Sequence, residues 1–143
     1  FRPAFEENSE TGGKVWGTPF QRSTTVRYWN KEMLKEAGLD PNRPPENWKE
    51  MLQYAQKLTK RDSAGNVSQW GVQVPSSGFP YWLFQGFTTP NGAILMNKAG
   101  NQTYFDSPAV IDALQFWVDL SRKHKVMPPG IIEWGTTPKD FFE

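Results

Sequence analysis

Residues 13–41 have the sequence GKVWGTPFQRSTTVRYWNKEMLKEAGLDP, which predicts a strand, a polar loop, a second strand and a short helix. Residues 14–18 are apolar enough for a short strand that ends at a proline, and residues 24–29 alternate between two faces. Asn30 is suited to cap the following helix, and Gly38 is suited to the left-handed position that ends it. The stretch therefore predicts an α/β unit that holds a polar loop between two strands.

The loop between these predicted strands is rich in hydrogen-bonding groups. Gln21, Arg22, Ser23 and Thr24 follow one another and offer four polar side chains on one turn. The Arg22 guanidinium is also suited to a bidentate contact with a phosphate or a carboxylate. The alternative is that Arg22 is an exposed arginine beside a cleft. We expect the loop as a whole to hydrogen-bond a ligand.

A second group of candidate ligand-binding residues is aromatic. Residues 76–78, Ser-Ser-Gly, form a small-residue turn that opens directly onto Phe79, Tyr81 and Trp82. Open α/β sheets bind ligands at the loops that follow the carboxyl ends of their strands. If Pro80 occupies the first turn of a helix, Phe79 and Trp82 fall on neighbouring sides of that turn. The stretch therefore predicts two rings that face one ligand.

Capping residues and periodicity predict the other elements. A capping box from Asn47 to Glu50 begins one helix, and Ser107-Pro108 begins the longest one. The predicted buried stripe of that longest helix comprises Val110, Ile111, Leu114, Trp117 and Val118. The remaining predicted elements are a hairpin-like loop at 62–66, a strand at 70–74, a short buried helix at 83–87, a small hairpin that pairs 93–96 with 103–105, and a truncated helix after Thr137-Pro138.

Length and composition indicate one compact α/β domain. The chain has 143 residues, enough for a core of its own and too few for two domains. Its net charge of +1 gives no electrostatic reason to expect nucleic acid or an acidic membrane surface as a partner. The absence of cysteine excludes disulfides, thiolate zinc sites and thiol catalysis. Aromatic residues make up 15% of the chain, with seven tryptophans, which predicts either an aromatic core or a site that stacks on rings.

The sequence offers little for catalysis, and we expect no cofactor or metal. The single histidine, His124, lies among lysines at a predicted helix end, where it suits the helix dipole better than a catalytic role. Asp119 and Glu133 could act as a glycosidase pair, but both also fit as surface residues. Motifs for zinc hydrolysis, nucleophilic serine or phosphate loops are missing from the sequence. A glycoside-processing enzyme therefore remains an alternative, beside an appended carbohydrate-binding module.

A nucleic-acid interface would depend on Arg22, Arg27, Tyr28, Trp29 and Lys31, where basic and aromatic residues alternate. Acidic residues follow at once, and strand alternation sends neighbouring side chains to opposite faces, so this patch is not continuous. A binding module needs only what the sequence contains. Sugars have apolar C–H faces and a rim of hydroxyls, and a complementary site combines aromatic rings with a few fixed hydrogen-bonding groups.

Five motifs in order also carry a family resemblance. The first motif is GKVWGTPF followed by STTVRYWNK. The other four are KEAGLDP, PPENWKEMLQYAQKL, GFPYW and FDSPAVIDALQFWVDL. Together they resemble the extracellular solute-binding proteins of sugar ABC transporters. The resemblance is closest to the glycerol-3-phosphate-binding branch and more distant to maltose-binding protein. It covers nearly the whole chain.

The resemblance implies a type II periplasmic-binding-protein-like α/β fold, with this chain as a fragment that forms most of one lobe of a two-lobed protein. Residues 1–20 would contain the lead-in and an inter-lobe crossover strand, and residues 21–143 the lobe. The implied function is capture of a sugar, sugar alcohol or glycerol-phosphate-type solute by hinge closure, for import by ABC permease subunits. The implied location is periplasmic or extracellular, with a membrane anchor as an option for the full-length protein.

The resemblance also implies site residues. In the family, a hydroxyl at the position of Ser23 or Thr24 and aromatic rings at those of Phe79 and Trp82 contact the ligand. Arg22 departs from the small polar residue common in the glycerol-3-phosphate branch, which leaves the identity of the solute open. The alternative is that Phe79 and Trp82 belong to the core and that Ser23 only completes its turn.

Overall fold

The computed structural model describes residues 3–6, 9–21 and 23–143. The helices in these ranges are α1 (Pro3–Glu6), α2 (Lys31–Glu36), α3 (Trp48–Leu58), α4 (Pro80–Thr88), α5 (Pro108–Arg122) and α6 (Thr137–Phe142). The strands are β1 (Glu10–Thr11), β2 (Lys14–Val15), β3 (Lys60–Arg61) and β4 (Val67–Gln69). β1 pairs with β2 and β3 pairs with β4, both antiparallel.

Helix α2 begins and ends as its sequence predicts. The Asn30 side-chain oxygen accepts hydrogen bonds from the backbone N–H groups of Glu32 and Met33, at 3.0 and 3.1 Å. At the other end Gly38 has φ of 67°, and the N–H of Leu39 donates to the Leu34 carbonyl at 2.8 Å. This is the Schellman arrangement, in which a left-handed glycine lets the chain satisfy the last carbonyls of a helix. The helix is therefore fixed by local chemistry at both ends.

Helix α3 begins with a variant of the predicted capping box. The Asn47 side chain accepts from the Glu50 N–H at 2.9 Å, but the Glu50 carboxylate accepts from the Glu46 N–H rather than from that of Asn47. Arg43 Nη2 donates to Glu50 Oε1 at 2.8 Å. This hydrogen bond, followed by that from Glu46, holds the pKa of the Glu50 carboxyl below its ordinary value. The carboxylate thus connects the helix to the turn before it.

The core lies where α3, α4, α5 and the segment after α5 meet. Its buried members are Met51, Ala55, Val74, Phe87, Ala113, Leu120, Val126, Met127 and Ile132. Aromatic rings surround them: Trp48 stacks on Phe116 with centroids 4.9 Å apart and planes within 7°. We name the five rings Trp48, Phe84, Phe87, Phe116 and Trp117 the inner cluster.

Close packing also explains one glycine. A Cβ added at Gly71 would overlap the carbonyl group of Ala55 and approach Thr59 Oγ1 to 2.7 Å. The Gly71 N–H donates to that same hydroxyl at 3.1 Å, so the chain here lies directly against α3. Glycine is needed because the backbone itself, rather than a side chain, packs on the helix.

Two predicted strands were wrong. Residues 24–29 and 70–74 have no strand assignment, because among the described residues neither lies in a continuous ladder. The N–H groups of Gly71 and Val72 both donate to the Val126 carbonyl, and those of Ser76 and Ser77 both donate to the Ile132 carbonyl. Between these two acceptors lie Pro128 and Pro129, which have no N–H to donate. The segment is therefore attached at two points rather than paired along its length.

The predicted hairpins and short helices were closer to the structure. The strand predicted at 14–18 is shorter and covers β2 alone, and the loop at 62–66 joins β3 to β4 as predicted. The hairpin predicted at 93–105 is reduced to a single bridge between Met96 and Thr103. Helix α6 begins at Thr137 as predicted, whereas α4 includes the helix predicted at 83–87 but begins three residues earlier, at Pro80.

Helix α5 buries a different stripe from the predicted one. Val110, Ala113 and Leu120 are buried, whereas Ile111, Leu114 and Val118 of the predicted stripe are exposed. Both stripes have helical spacing, so periodicity alone does not decide between them. Ala113 is fully buried in the core, and α5 packs against α4. Ser107 precedes α5 as predicted but makes no side-chain cap hydrogen bond.

Within the described ranges, no helix has both the length and the apolar character that crossing a membrane requires.

Candidate functional site

The candidate site is built around the first turn of α4. Phe79 precedes the helix and Pro80 begins it, so the condition stated above for placing Phe79 and Trp82 on neighbouring sides of one turn is met. Phe79 and Trp82 stack with ring centroids 4.8 Å apart and planes within 18°, and the Tyr81 ring lies edge-on to Trp82 at 5.1 Å. Phe79 is 45% exposed and Trp82 is 41% exposed, so the rings form a surface rather than part of the core.

A fourth ring comes from a distant part of the chain. Trp134 lies edge-on to Phe79, with centroids 6.0 Å apart and planes at 89°. Gly78 makes this approach possible, because a Cβ there would lie 2.8 Å from the Trp134 Cβ. Gly78 also has φ of 78°, which side chains rarely adopt. We name the rings Phe79, Tyr81, Trp82 and Trp134 the outer cluster.

Hydrogen bonds join the two segments that carry these rings. The Ser76 Oγ accepts from the Ile132 N–H at 2.9 Å, and the Ile132 carbonyl accepts from the Ser76 N–H at 2.9 Å. Next to this pair the Ser77 hydroxyl donates to the Glu133 carboxylate. The serines three and two positions before Phe79 are therefore tied to the two residues directly before Trp134. This fixes the position of the outer cluster on both sides.

The polar loop lies beside a later part of α4, after the turn that carries the rings. Ser23 and Thr24 are exposed, and Thr24 Oγ1 donates to the Thr25 carbonyl at 3.5 Å. A Cβ added at Gly86 would lie 3.9 Å from Thr25 Oγ1, which places the loop next to the second turn of α4. Side-chain hydrogen bonds from Arg27 and Trp29 tie the following residues to the carbonyls of Pro45 and Pro41. Arg22 lies outside the described residues.

Two shallow grooves open on the surface, and they differ in character. The larger, about 640 Å³, lies among mainly polar side chains of α3 and the preceding turn, and no ring of the outer cluster lines it. The smaller, about 480 Å³, borders the candidate site at Ser76 and Pro80 and extends along the exposed face of α5. We give more weight to the smaller groove because it touches the loop that carries the rings.

The structure does not bring the proposed glycosidase pair into a shared arrangement. Asp119 accepts from Gln115 at 2.7 Å and pairs with Lys123 at 3.8 Å along α5. Glu133 instead accepts from Ser77 beside the outer cluster. The described residues contain no group of three or more histidine, cysteine or acidic side chains placed to hold a metal ion.

Sequence reasoning missed two residues of this site. Trp134 was not singled out, and Glu133 was considered only as a surface residue or catalytic acid. Their signal in the sequence is weak: an acidic and an aromatic residue that follow a Pro-Pro-Gly break. Nothing local to residues 128–135 indicates that they pack against residues 76–79. That contact is visible only in three dimensions.

Solved structures with a similar architecture include ABC transporter solute-binding proteins. The chain superposes on an ABC transporter solute-binding protein from Thermotoga lettingae, bound with α-D-tagatose, with a TM-score of 0.60 and 32% identity, over 72% of this chain and 26% of that one. An ABC substrate-binding protein from Listeria monocytogenes, in complex with cycloalternan, shares the fold with a TM-score of 0.67 at 21% identity, over 99% and 34% of the two chains. The fold is therefore α/β and type II periplasmic-binding-protein-like, as the sequence resemblance implied.

The chain belongs to the bacterial extracellular solute-binding protein family, whose model matches residues 3–138. A curated relative is the sn-glycerol-3-phosphate-binding periplasmic protein UgpB of Yersinia pseudotuberculosis, which is 33% identical over 112 residues. That match covers 78% of this chain and 25% of the relative. The chain thus spans about a quarter of the length of the curated relatives it matches.

Proposed function

We propose that this chain forms one lobe of a two-lobed solute-binding protein that captures a sugar, sugar alcohol or glycerol-phosphate-type solute for an ABC importer. Residues 21–143 would form the lobe, and residues 1–20 would lead into it and cross between the lobes. The observation that carries the proposal is the outer cluster, in which stacked rings remain exposed instead of joining the core. Exposed aromatic surface that is fixed on both sides suits a ligand with apolar C–H faces.

The site residues remain predictions. We propose that Phe79, Trp82 and Tyr81 supply the ring surface and that Ser23 and Thr24 supply hydroxyls, with Arg22 as a further contact for an anionic solute. Exposure of the described members supports this assignment over the core alternative. ABC permease subunits are the proposed partners, and the proposed location is periplasmic or extracellular.

The mechanism requires no covalent chemistry. A solute bound between two lobes stabilises the closed form over the open form by its differential affinity for the two. The permease would then recognise the closed form. The outer cluster would contribute contacts from one lobe, and the facing lobe would supply the rest.

Thermal denaturation of the complete two-lobed protein tests this function. The solutes are α-D-tagatose, maltose, glycerol and sn-glycerol 3-phosphate. A specific solute at about 100 times its Kd should add about 2.7 kcal/mol to the free energy of unfolding and raise the melting temperature accordingly. No shift with any of these solutes would contradict the proposal.

Calorimetry on the 143-residue chain alone tests the two-lobe account. A cleft between two lobes loses about half its contacts when one lobe is missing. We therefore expect binding weaker than about 1 mM, which corresponds to about 4 kcal/mol of binding free energy. Submillimolar binding by the single chain would contradict the two-lobe account.

A further inference from the structure

The Glu133 carboxylate has unused capacity to accept hydrogen bonds. A carboxylate offers about four lone-pair sites, and among the described residues the hydrogen bond to the Glu133 side chain comes from the Ser77 hydroxyl. No lysine or arginine of residues 3–6, 9–21 and 23–143 forms an ion pair with it. The residue is exposed. The side chain can therefore still accept hydrogen bonds from a ligand.

The position of Glu133 relative to the rings follows from Ser77, which is hydrogen-bonded to it, and from Trp134, which follows it in the chain. Ser77 lies two residues before Phe79, and Trp134 directly follows Glu133 and packs edge-on against the Phe79 ring. The backbone carbonyl of Glu133 also accepts from the hydroxyl of Thr137 at 2.8 Å, which fixes the start of α6 to the same point. The Glu133 side chain is thus hydrogen-bonded to Ser77, and its backbone is hydrogen-bonded to the start of α6, at the edge of the outer cluster.

We propose that Glu133 is a specificity-determining residue of the candidate site. Its carboxylate accepts hydrogen bonds from the hydroxyl groups of a neutral sugar that lies on the outer cluster. This inference rests on the proposed function. It narrows the solute class to neutral polyhydroxylated compounds, and it disfavours phosphorylated ones.

The chemistry distinguishes the two classes clearly. A carboxylate is an acceptor without donors, and sugar hydroxyls donate to it in charge-assisted hydrogen bonds that are about twice as strong as neutral ones. A phosphate ester carries negative charge and acceptor oxygens, so the same carboxylate repels it and offers it no donor. Rings on one side and an anionic acceptor on the other therefore favour a sugar with free hydroxyls.

The test compares Glu133→Gln with wild type in the complete protein, by calorimetry with α-D-tagatose, maltose and sn-glycerol 3-phosphate. Glutamine keeps the shape of the side chain and an oxygen that accepts from Ser77, but it loses the charge. The matched control is Glu36→Gln, which removes an exposed carboxylate that pairs with Lys60 at 3.0 Å on another part of the surface.

We expect wild type to bind a neutral sugar more tightly than glycerol phosphate. Glu133→Gln should weaken the binding of the sugar about tenfold and leave the affinity for glycerol phosphate unchanged or higher. Glu36→Gln should change neither affinity. If Glu133→Gln does not fold, Glu133→Asp takes its place. Aspartate keeps the charge but has one methylene fewer, so the sugar should bind several-fold more weakly.

Three results would overturn the inference. They are an unchanged sugar affinity in either Glu133 variant, equal weakening of both solute classes, and tighter wild-type binding of glycerol phosphate than of either sugar. In each of these cases a solute still binds, and the proposed function stands. Absence of binding by all three solutes to wild type would instead count against the proposed function, and the inference would fall with it.

Discussion

The inner and outer clusters use the same kinds of ring in nearly the same geometry, yet they differ in burial. Trp48 and Phe116 stack at 4.9 Å in the inner cluster, and Phe79 and Trp82 stack at 4.8 Å in the outer one. The inner rings pack around Phe87, which is 8% exposed, whereas every ring of the outer cluster is at least 38% exposed. Stacking geometry therefore does not separate a structural ring from a binding ring.

The difference in burial predicts a difference in what each ring stabilises. A buried ring contributes to the free energy of unfolding through the area it removes from water and the contacts it makes. An exposed, fixed ring retains much of that area for a ligand. Substitutions in the two clusters should thus separate stability from binding.

The largest effect is expected for Phe87→Ala in the inner cluster. Phe87 contacts Trp48, Phe116 and Trp117, so its removal leaves a cavity among three rings. We expect the free energy of unfolding to fall by about 3–5 kcal/mol, measured by urea denaturation. Solute affinity of the folded fraction should stay the same. A stable variant with weakened affinity would erase the distinction between the clusters.

Trp82→Ala in the outer cluster should have the opposite signature. Loss of one ring from a ligand stack costs about 1–3 kcal/mol, by analogy with base stacking on aromatic side chains. We expect at least tenfold weaker solute binding in the complete protein, with little change in the ligand-free melting temperature. Trp82→Phe, which keeps a ring, is the matched control and should lose less affinity.

The contrary result for this pair is equally clear. A large fall in melting temperature with unchanged affinity would show that Trp82 acts as a core residue. The ring surface for the ligand would then lie elsewhere.

A smaller effect is expected for Gly78→Ala, which displaces one ring instead of removing it. Alanine at a left-handed φ costs about 1–2 kcal/mol, and its Cβ would also press on Trp134. Gly92→Ala is the control, because Gly92 has the same φ of 78° and a Cβ there meets nothing within 4 Å. Both variants should lose stability, measured by urea denaturation, with the larger loss for Gly78→Ala because of the added contact with Trp134, but only Gly78→Ala should weaken solute binding. Equal affinities would show that Trp134 plays no part in the site.

Features that depend on neighbouring residues could be predicted from the sequence. The Asn30 cap and the left-handed Gly38 involve contacts within a few positions, and both are present as predicted. The start of α4 at Pro80, which the sequence left as a condition, is also decided locally. The exposed pair Phe79 and Trp82 follows from that same helix start. Local chemistry was sufficient for these features because the groups that decide them are adjacent in the chain.

Features that depend on distant partners could not be predicted. Residues 24–29 alternate as a strand does, but alternation does not supply the neighbouring strand that a ladder needs. Helix α5 has two stripes of helical spacing, and the structure buries Ala113 rather than Leu114, a choice that depends on the elements packed against the helix. Trp134 was missed for the same reason, because its partner Phe79 lies far away in the sequence.

The bonds between Ser76 and Ile132 and between Ser77 and Glu133 each span 56 positions. Closing a loop of that length costs chain entropy before any contact is made, so these bonds should form late in folding. A synthetic peptide with residues 76–88 would carry three of the outer rings but could not assemble the surface. A single proteolytic cut between α4 and α5 would remove the covalent connection between the two segments that these hydrogen bonds join. Solute binding would therefore report on the intact, folded chain, which makes it a sensitive assay of whether a preparation is native.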